Sequence, residues 1–525
     1  MRYIYSIIKA DYLQRTRSYA FLITLAITFF AAYSFVPPPT ASYTTLSVVG
    51  YKGVYNSAWV GYVSGMMTAI MLSLYGFFLV NGGIKKDIET EVGLIIATTP
   101  ITNFVYLLSK LFSNFLVLLT IAGCTFVVSI IMFFVRTSGH AFILSNFLIP
   151  YLLFAAPSLL VVSSLAVISE VFLRKRSFLQ YLVFFFLFGI MMANVTAQKN
   201  ETLAVLIDPL GVRTMTSSIT NLVNSQFHQH IDGVNLGFIY GHKQAFKTFE
   251  WNGITITSLF LFSRLLWIIF AFGLVYLSSF FFHRFDFKQP VSKRKKSSIN
   301  AEQNTVITFA ATGINRALIP PLVIDYGIFP FIKTELLLLT RKGTKWLGLV
   351  IGGLSLSMLF APINVAHAYL LPILWFLQVT RWSELATKEE TNRLHYFTYA
   401  SYKPLQRMLP AQILAGITLA LVLALPLILR YAINLDVYPI FDIINGAIFI
   451  ILLAVCLGIV SRGKKLFEIS FFMLSYALIE KVPILDYMGA IKHNNHISYM
   501  VIILTVNVFL LGISFAVRNY QSRHL

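Results

Sequence analysis

Long apolar stretches alternate with short polar ones along almost the whole chain of 525 residues. A bilayer core about 30 Å thick is crossed by a helix of roughly 20 apolar residues, so each long stretch predicts one membrane-spanning helix. We count about twelve such stretches on that measure. In the first half they are residues 19–36, 59–80, 105–135, 147–172, 178–195 and 254–282, and in the second half 346–362, 367–380, 409–429, 440–460, 466–485 and 498–517. The pattern predicts an all-α polytopic membrane protein.

The composition agrees with a membrane location. Only 12% of the residues are charged and 57% are hydrophobic, whereas roughly 25% of the residues of a soluble domain are charged. So few charges cannot cover a globular surface, and the excess apolar surface is expected to face lipid. The two cysteines, Cys124 and Cys456, lie inside apolar stretches. There they are expected to be small buried side chains rather than a disulfide, a redox pair or metal ligands.

The net charge of +20 follows from where the basic residues stand. Lys and Arg collect in alternate loops, at 85–86, 174–176, 293–296 and 462–465, and near both ends of the chain. Cytoplasmic loops of membrane proteins carry such an excess of Lys and Arg. We therefore expect a multi-pass protein of the cell inner (cytoplasmic) membrane, with both termini in the cytoplasm. Topology in the lipid bilayer accounts for the basic composition, and nucleic acid is not expected as a partner.

The chain divides at a basic, polar linker, residues 284–318. Residues 1–283 and 319–525 then show the same order of elements. Each half begins with a basic amphipathic segment, continues with two spans and a polar loop, and adds two spans, a basic turn and a last pair of spans. Because each half begins and ends on the same side of the membrane, the pattern predicts two parallel six-helix repeats.

The halves differ between their fifth and sixth spans. The first half carries a long extracytoplasmic loop, residues 197–253, whereas the matching segment of the second half, residues 483–496, is short. The loop contains His228, His230 and His242, but no carboxylate or cysteine stands at ligand spacing beside them. We expect a small, partly helical cap and no metal site.

The most informative polar segment follows the second span. Asp87, Glu89 and Glu91 stand near the start of a short predicted helix, where negative charge suits the helix dipole. An apolar face with Val92, Leu94 and Ile95 follows, and Pro100 ends the helix before the third span begins. An apolar face of this kind at the membrane border predicts a surface to which a partner protein binds.

These residues resemble the cytoplasmic signature of ABC-2 type transporter permeases. The matching positions are Glu91, Gly93, Thr99, Pro100, Tyr106 and Lys110. The resemblance implies that this segment is a coupling helix lying in a groove of an ABC ATPase subunit, and that each half has six spans behind an amphipathic helix. The second half has a looser copy that lacks the Gly and the Thr-Pro pair. Its candidate docking residues are Glu389, Glu390, Arg393 and Pro404.

The resemblance also implies how transport is driven. The chain lacks a glycine-rich loop followed by Lys and Ser or Thr, which would cradle phosphates. We therefore expect that this chain is not an enzyme and binds no cofactor, and that ATP and Mg are used by a separate ATPase chain in two copies. The substrate path implied by the resemblance lies along the second and fifth spans of each half. Candidate path residues are Met67, Met71, Tyr75, Phe184, Phe188 and Arg264.

The substrate itself is not specified by any motif. The Phe-rich spans favour a hydrophobic or amphipathic cargo, most plausibly exported, and no basic internal vestibule is evident along the sequence. Two other classes stay open. An ion-coupled secondary transporter would place ionisable groups in mid-span, whereas Glu170, Asp442 and Glu468 fall near span ends. A polytopic transferase acting on a lipid-linked substrate would need clustered carboxylates, whereas those of the outer loop, Glu201, Asp208, Asp232 and Glu250, are scattered.

Overall fold

The chain is mostly helical, with helices over 78% of the structure. The computed structural model describes residues 2–38, 41, 43–48, 51–137, 139–174, 177–197, 200–228, 234–240, 247–283, 327–343, 345–479, 482, 485–491 and 496–524. The predicted linker 284–318 lies outside these residues, as do His230, Asp232 and His242. We use first half for residues 2–283 and second half for residues 327–524.

The first half contains twelve of the described α-helices, and one π-helical turn, Tyr151–Ala155, joins α7 to α8. The helices are α1 Arg2–Thr16, α2 Tyr19–Ser34, α3 Ser57–Val80, α4 Gly83–Glu89, α5 Val92–Ala97, α6 Asn103–Arg136, α7 Ser145–Pro150, α8 Ala156–Leu173, α9 Ser177–Ala197, α10 Glu201–Ile207, α11 Val212–Phe227 and α12 Ser258–Phe281.

The second half contains the remaining described helices, and a π-helical turn, Ala366–Leu370, joins α15 to α16. The helices are α13 Phe329–Arg341, α14 Lys345–Phe360, α15 Ile363–Val365, α16 Leu371–Phe376, α17 Val379–Trp382, α18 Lys388–Thr391, α19 His395–Tyr399, α20 Pro404–Ile433, α21 Val437–Ser461, α22 Lys465–Ile479 and α23 His496–Arg523.

Seven continuous helical stretches of the described chain are long and apolar enough to cross a membrane. They are Ser57–Glu89, Asn103–Arg136, Ser145–Leu173, Ser258–Phe281, Pro404–Ile433, Val437–Ser461 and Ile497–Arg523. Two bent pairs, α1 with α2 and α13 with α14, raise the number to nine if each pair is one span. The other three predicted spans fall on the shorter helices α9, α15–α16 and α22. The count of twelve therefore stays a prediction.

A small β-sheet makes the all-α expectation incomplete. Its strands are β1 Tyr43–Val48, β2 Tyr51–Gly53, β3 Val234–Tyr240 and β4 Lys247–Phe249. Their order is β3-β1-β2-β4, with β2 parallel to β4 and the other pairs antiparallel. The sequence pattern missed the sheet because its strands are short and come from two distant segments. The sheet and α10–α11 form a small cap, to which the predicted loop 197–253 contributes α10, α11, β3 and β4, and residues 43–53 contribute β1 and β2. The placement of this cap on the outer side stays a prediction.

The cap is attached to the start of α3. Asn56 caps this helix through its side chain, and its Nδ2 donates a hydrogen bond of 2.9 Å to the carbonyl oxygen of Trp251. The ring of Trp59 packs edge-on against Phe249 and Trp251. Buried aromatic pairs of this kind stabilise the contact beyond the area they bury.

Corresponding helices of the two halves have corresponding neighbours. Helix α1 packs on α6, as α13 packs on α20, and α8 packs on α12, as α21 packs on α23. The helix pairs α6–α8 and α20–α21 are likewise in contact. One apolar core lies within the second half, and the core of the first half extends to Phe376, Ile469 and Phe472 of the second half.

The halves meet at four aromatic side chains, which we call the interface aromatic cluster: Phe78 on α3, Phe185 on α9, Phe376 on α16 and Phe472 on α22. The ring centroid of Phe472 lies 4.1 Å from that of Phe78, 5.2 Å from that of Phe185 and 5.9 Å from that of Phe376. These four helices coincide with the second and fifth predicted spans of each half.

Candidate functional site

The first turn of α4 is held by a carboxylate from another helix. Glu170, buried near the end of α8, accepts hydrogen bonds from four successive backbone N–H groups, those of residues 82–85, over 2.7–3.1 Å. The first N–H groups of a helix have no partner inside it, and negative charge there is stabilised by the helix dipole. Glu170 therefore ties α4 to α8.

A buried ion network ties α4 to two further helices. The ammonium of Lys110 on α6 lies 2.7 Å from a carboxylate oxygen of Asp87 on α4 and 2.6 Å from one of Asp11 on α1. The hydroxyl of Tyr106 donates a hydrogen bond of 2.7 Å to the same oxygen of Asp87. Removing one partner of such a buried network leaves an uncompensated charge. The network thus connects α1, α4 and α6 through direct side-chain contacts.

The predicted docking residues of the first segment divide into two groups. Glu89, Glu91 and Pro100 are exposed, and Thr99 is half-buried. Asp87 and Gly93 are buried, and the contact of Asp87 with Lys110 turns it away from any partner. Its role as a docking residue is therefore not supported by its placement. A single sequence could not show which acid faces inward.

The surface that the first segment exposes is apolar. Val92, Leu94 and Ile95 on α5 are exposed, Ile95 by 68% of its surface. Glu91, which joins α4 to α5, has a backbone φ of 60°. A positive φ is uncommon for a residue other than glycine, and here it sets the angle between the two short helices.

The second segment, α18–α19, is built in a similar way. Lys388 on α18 pairs with Glu335 on α13, and Gln412 on α20 donates a hydrogen bond of 2.7 Å to buried Glu389. Glu389 also lies 3.7 Å from Arg518 of α23. Burial raises the pKa of Glu389. As with Asp87, the predicted docking residue Glu389 faces inward.

The rest of the second segment faces outward. Arg393, which joins α18 to α19, is exposed and has a φ of 56°, and Glu390 is half-buried. Pro404 opens α20. The exposed apolar surface here consists of Leu394, Tyr396 and Phe397, the last exposed by 78%. The apolar residues of this segment were not predicted as docking residues.

A cavity of about 1210 Å³ lies between the two halves, beside α4 and α18. We call this side of the molecule, which is predicted to be cytoplasmic, the inner side. The wall is formed by the α1–α2 bend, the end of α3, α4, the start of α9, the start of α14 and the turn before α22. Apolar side chains such as Phe21, Leu79 and Trp346 contribute to it together with charged ones.

The charged residues of the wall are mostly basic, so the expectation that no basic vestibule exists is wrong. The cations are Arg15, Lys85, Lys86, Lys342, Lys464 and Lys465, and the acids are Asp11, Glu89, Glu384 and Glu468. The basic residues come from four separate stretches of sequence, and for that reason the sequence pattern did not show them as one group.

Glu384 neutralises part of this charge. Its carboxylate bridges Lys342 at 2.6 Å and Lys464 at 3.0 Å. Burial raises the pKa of Glu384, but the two ammonium groups outweigh burial and the net effect lowers it. At Lys342, by contrast, burial prevails and lowers the pKa. At Lys464 the attraction of Glu384 outweighs burial, and the pKa is raised.

The candidate substrate-path residues do not line this cavity. Phe184 stacks on Phe77 at 3.9 Å between ring centroids, and Phe188 and Met67 are buried in the core of the first half. Met71 and Tyr75 pack against the same core, with the Tyr75 hydroxyl 2.8 Å from that of Thr28. These side chains and the interface aromatic cluster belong to one apolar core. Tyr181 connects the cavity wall to it, because its ring packs on Phe78 and its hydroxyl bonds to Glu468.

Arg264 lies elsewhere and holds a turn. Its guanidinium donates to the carbonyl oxygens of Asp208 and Pro209, and Asp208 accepts from the N–H groups of residues 210, 211 and 213. The second half has a similar turn. There Asp486 accepts from the N–H groups of residues 488, 490 and 491. The position of Arg264 therefore does not support the prediction that it lines a substrate path.

The two turns share a sequence signal that was overlooked. Asp208-Pro-Leu-Gly211 and Asp486-Tyr-Met-Gly489 both follow the fifth apolar stretch of their half. Gly211 has a φ of 85° and Gly489 a φ of 69°, values that favour glycine. A search for Asp-x-x-Gly at equal places in the two halves would have found both.

Among the described residues, no group of three or more His, Cys, Asp and Glu side chains could hold a metal ion. Comparison with known proteins adds no relative: no family model matches the chain, and neither the curated proteins nor the solved structures contain a significant match. The resemblance to ABC-2 permeases therefore remains a prediction.

Proposed function

We propose that this chain is the membrane-spanning permease of an ATP-driven transporter, which exports an amphipathic or hydrophobic substrate. The observation that carries the proposal is the cavity between the halves, whose wall residue Tyr181 packs on Phe78 of the interface aromatic cluster. Such an arrangement is what a transport path open to one side requires. Domain or bundle movement about a fixed site is the usual way in which access alternates.

The energy source in this proposal is a separate ABC ATPase, present in two copies on the inner side and using ATP and Mg. The exposed apolar surfaces of α5 and α19 are the docking sites, since exposed apolar patches commonly mark protein interfaces. Movement of α5 and α4 would be passed to α6 through Lys110 and to α8 through Glu170. The chain itself binds no nucleotide.

An internal duplication supports two docking sites. Residues with positive φ recur at matching places: Glu91 and Arg393 between the short helices, and Arg174 and Arg462 before the fifth span of each half. The Asp-x-x-Gly turns recur as well. We therefore infer two parallel halves in the inner membrane, each with six helices, both termini being cytoplasmic.

The two alternative functions find less support. For an ion-coupled transporter, the best candidate is buried His367, whose Nε2 donates to the carbonyl oxygen of Met488 and whose Nδ1 accepts from the Tyr431 hydroxyl. Both nitrogens are thus satisfied, and His367 is not part of the cavity wall. For a transferase, the carboxylate of Asp208 is occupied by backbone N–H groups, and Glu201 and Glu250 are exposed.

Copurification tests the proposal. The tagged chain is purified from the membranes of its source cell, and the preparation is assayed for ATP hydrolysis and for peptides of a chain with a phosphate-binding glycine loop. We expect both with the unaltered chain, and their loss in a variant carrying Ile95→Ser and Phe397→Ser.

The matched control carries Ile131→Ser and Val422→Ser, two exposed apolar residues on the long helices α6 and α20. It should keep the ATPase. Absence of any ATPase from the unaltered chain, or equal recovery with the docking variant, would reject the proposal.

A further inference from the structure

We propose that the inner cavity binds an anionic amphiphile, with a phosphate-type head group held by Arg15, Lys86 and Lys465 and an alkyl chain lying on the apolar wall. This inference rests on the proposed function, because it names the substrate class of the same cavity. It narrows the expected hydrophobic or amphipathic cargo to an anionic amphiphile, since the wall combines apolar side chains with an excess of cations.

The three cations differ from the other basic residues of the wall in making no direct salt bridge with a described acid. Lys85 pairs with Glu89, and Lys342 and Lys464 pair with Glu384. None of the described acids forms a salt bridge with Arg15, Lys86 or Lys465. The three nevertheless lie within electrostatic reach of one another. The carboxylates that act on them through space are Asp11 and Asp87 at Lys86 and Glu170 and Glu468 at Lys465. These carboxylates are bound directly by Lys110, by backbone N–H groups and by the hydroxyls of Tyr181 and Ser383. The three cations can therefore donate to an anion in the cavity.

Two glycines, Gly82 and Gly83, leave space for two of these cations. Lys465 donates to the carbonyl oxygen of Asn81 and lies over Gly82, where a Cβ would stand 3.3 Å from its Nζ. Arg15 donates from Nη1 to Val80 and Asn114, and its Nη2 lies over Gly83, where a Cβ would stand only 2.4 Å away. The two glycines therefore let a guanidinium and an ammonium meet at the end of α3.

Further polar groups lie beside the cations. Asn81 is buried and lines the cavity, and its Oδ1 has no hydrogen-bond partner within the described part of the chain. Arg and Lys together suit phosphate, Arg by its planar pair of donors and Lys as a compact charge.

An amphiphile rather than a free anion is favoured by the rest of the wall. Phe21, Leu79, Val117 and Val350 line the cavity on the apolar side. Trp346 belongs to the wall and is also 75% exposed at the start of α14. Trp is enriched at the level of lipid head groups. The cavity thus has a polar corner for the head and an apolar wall that reaches the inner leaflet.

Binding of dodecyl phosphate to the full chain tests this inference. The protein is held in nanodiscs of phosphatidylcholine without any ATPase, and the dissociation constant is measured by calorimetry. Lys86→Gln and Lys465→Gln should each weaken binding about tenfold, as loss of one hydrogen bond to a charged group would. Lys9→Gln and Lys333→Gln remove a charge from exposed positions outside the cavity and should leave binding unchanged.

Two other probes identify the source of the anion. Inorganic phosphate should compete only weakly, and dodecyltrimethylammonium should not compete. The inference is overturned if dodecyl phosphate does not bind, if the cavity and control variants bind alike, or if inorganic phosphate binds as tightly as dodecyl phosphate. Lys86 is exposed, so its substitution does not endanger folding. Because no ATPase is present, failure here leaves the copurification result untouched.

Discussion

Lys110 and Asp87 form a buried ion pair of 2.7 Å between the long helix α6 and the short helix α4. The pair joins the segment expected to receive an outside force to a helix that crosses the membrane. Asp11 also contacts Lys110, so the same ammonium joins the basic amphipathic helix α1 to both helices. The proposed coupling requires this ion pair to stay intact, and its contribution to the stability of the protein can be measured.

Replacing Lys110 by Met should lower the free energy of unfolding by about 3 kcal/mol, because it removes the ammonium in direct contact with buried Asp87 and half-buried Asp11. Denaturant titration in mild detergent measures the change. Lys85→Met is the matched control, since Lys85 pairs with Glu89 at 3.8 Å on the surface and should contribute less than about 1 kcal/mol. Equal effects of the two substitutions would contradict the assignment of Lys110 as the central cation.

Replacing Glu170 by Gln should loosen the first turn of α4. The neutral amide has one carbonyl oxygen, whereas the carboxylate has two charged oxygens that accept from the four N–H groups. The substitution therefore weakens or removes some of these hydrogen bonds. Hydrogen exchange at residues 82–85 should become faster. Glu201→Gln, in the first turn of exposed helix α10, serves as control and should leave α4 unaffected. Unchanged exchange at 82–85 would show that Glu170 does not hold the segment.

Gly211→Ala and Gly489→Ala should destabilise the protein to a similar extent, about 1–3 kcal/mol each, because both residues have positive φ. An added Cβ would also lie 2.2 Å from the Phe154 ring in one turn and 2.5 Å from Asp442 in the other. Gly273→Ala in α12, where nothing lies within 4 Å of the new Cβ, should be neutral or stabilising. Thermal unfolding compares the three, and an effect in only one turn would contradict their equivalence.

The bridge at Glu384 predicts a pH dependence. Its pKa is lowered in the folded protein, so the stability that it contributes is present above the unfolded-state value, about 4.3, and is lost as the pH falls through the lower folded value. The difference in unfolding temperature between the unaltered chain and Glu384→Gln should be constant from pH 7 to about pH 5 and shrink below that. A difference that grows on acidification would contradict the assignment.

Much of the helical architecture could be predicted from the sequence, because a bilayer demands about 20 apolar residues in succession and leaves a strong signal. Every predicted span falls on a helix of the described chain. Seven to nine of them meet the length required. The sheet was missed because β1 and β3 are distant in sequence, and neighbouring strands of that kind leave no local pattern.

Less of the candidate functional site could be predicted from the sequence. Acidic residues two positions apart, Asp87 and Glu89, look alike in a sequence, yet one is buried against Lys110 and the other is exposed. The cations of the cavity come from helices of both halves, and only their packing brings Arg15 near Lys465. In contrast, the Asp-x-x-Gly turns were present as a repeated motif and could have been recognised.

The distance between the inner ends of the two halves tests the central claim most directly. Spin labels are placed at exposed Thr90 and Asn392 in a chain whose Cys124 and Cys456 are replaced by Ala. Double electron–electron resonance is recorded on the complex with its ATPase, before and after addition of MgATP and vanadate. The control pair, Thr90 and Lys9, lies within the first half. We predict that the first distance shortens while the control distance stays constant, and an unchanged first distance would contradict ATP-driven closure of the cavity.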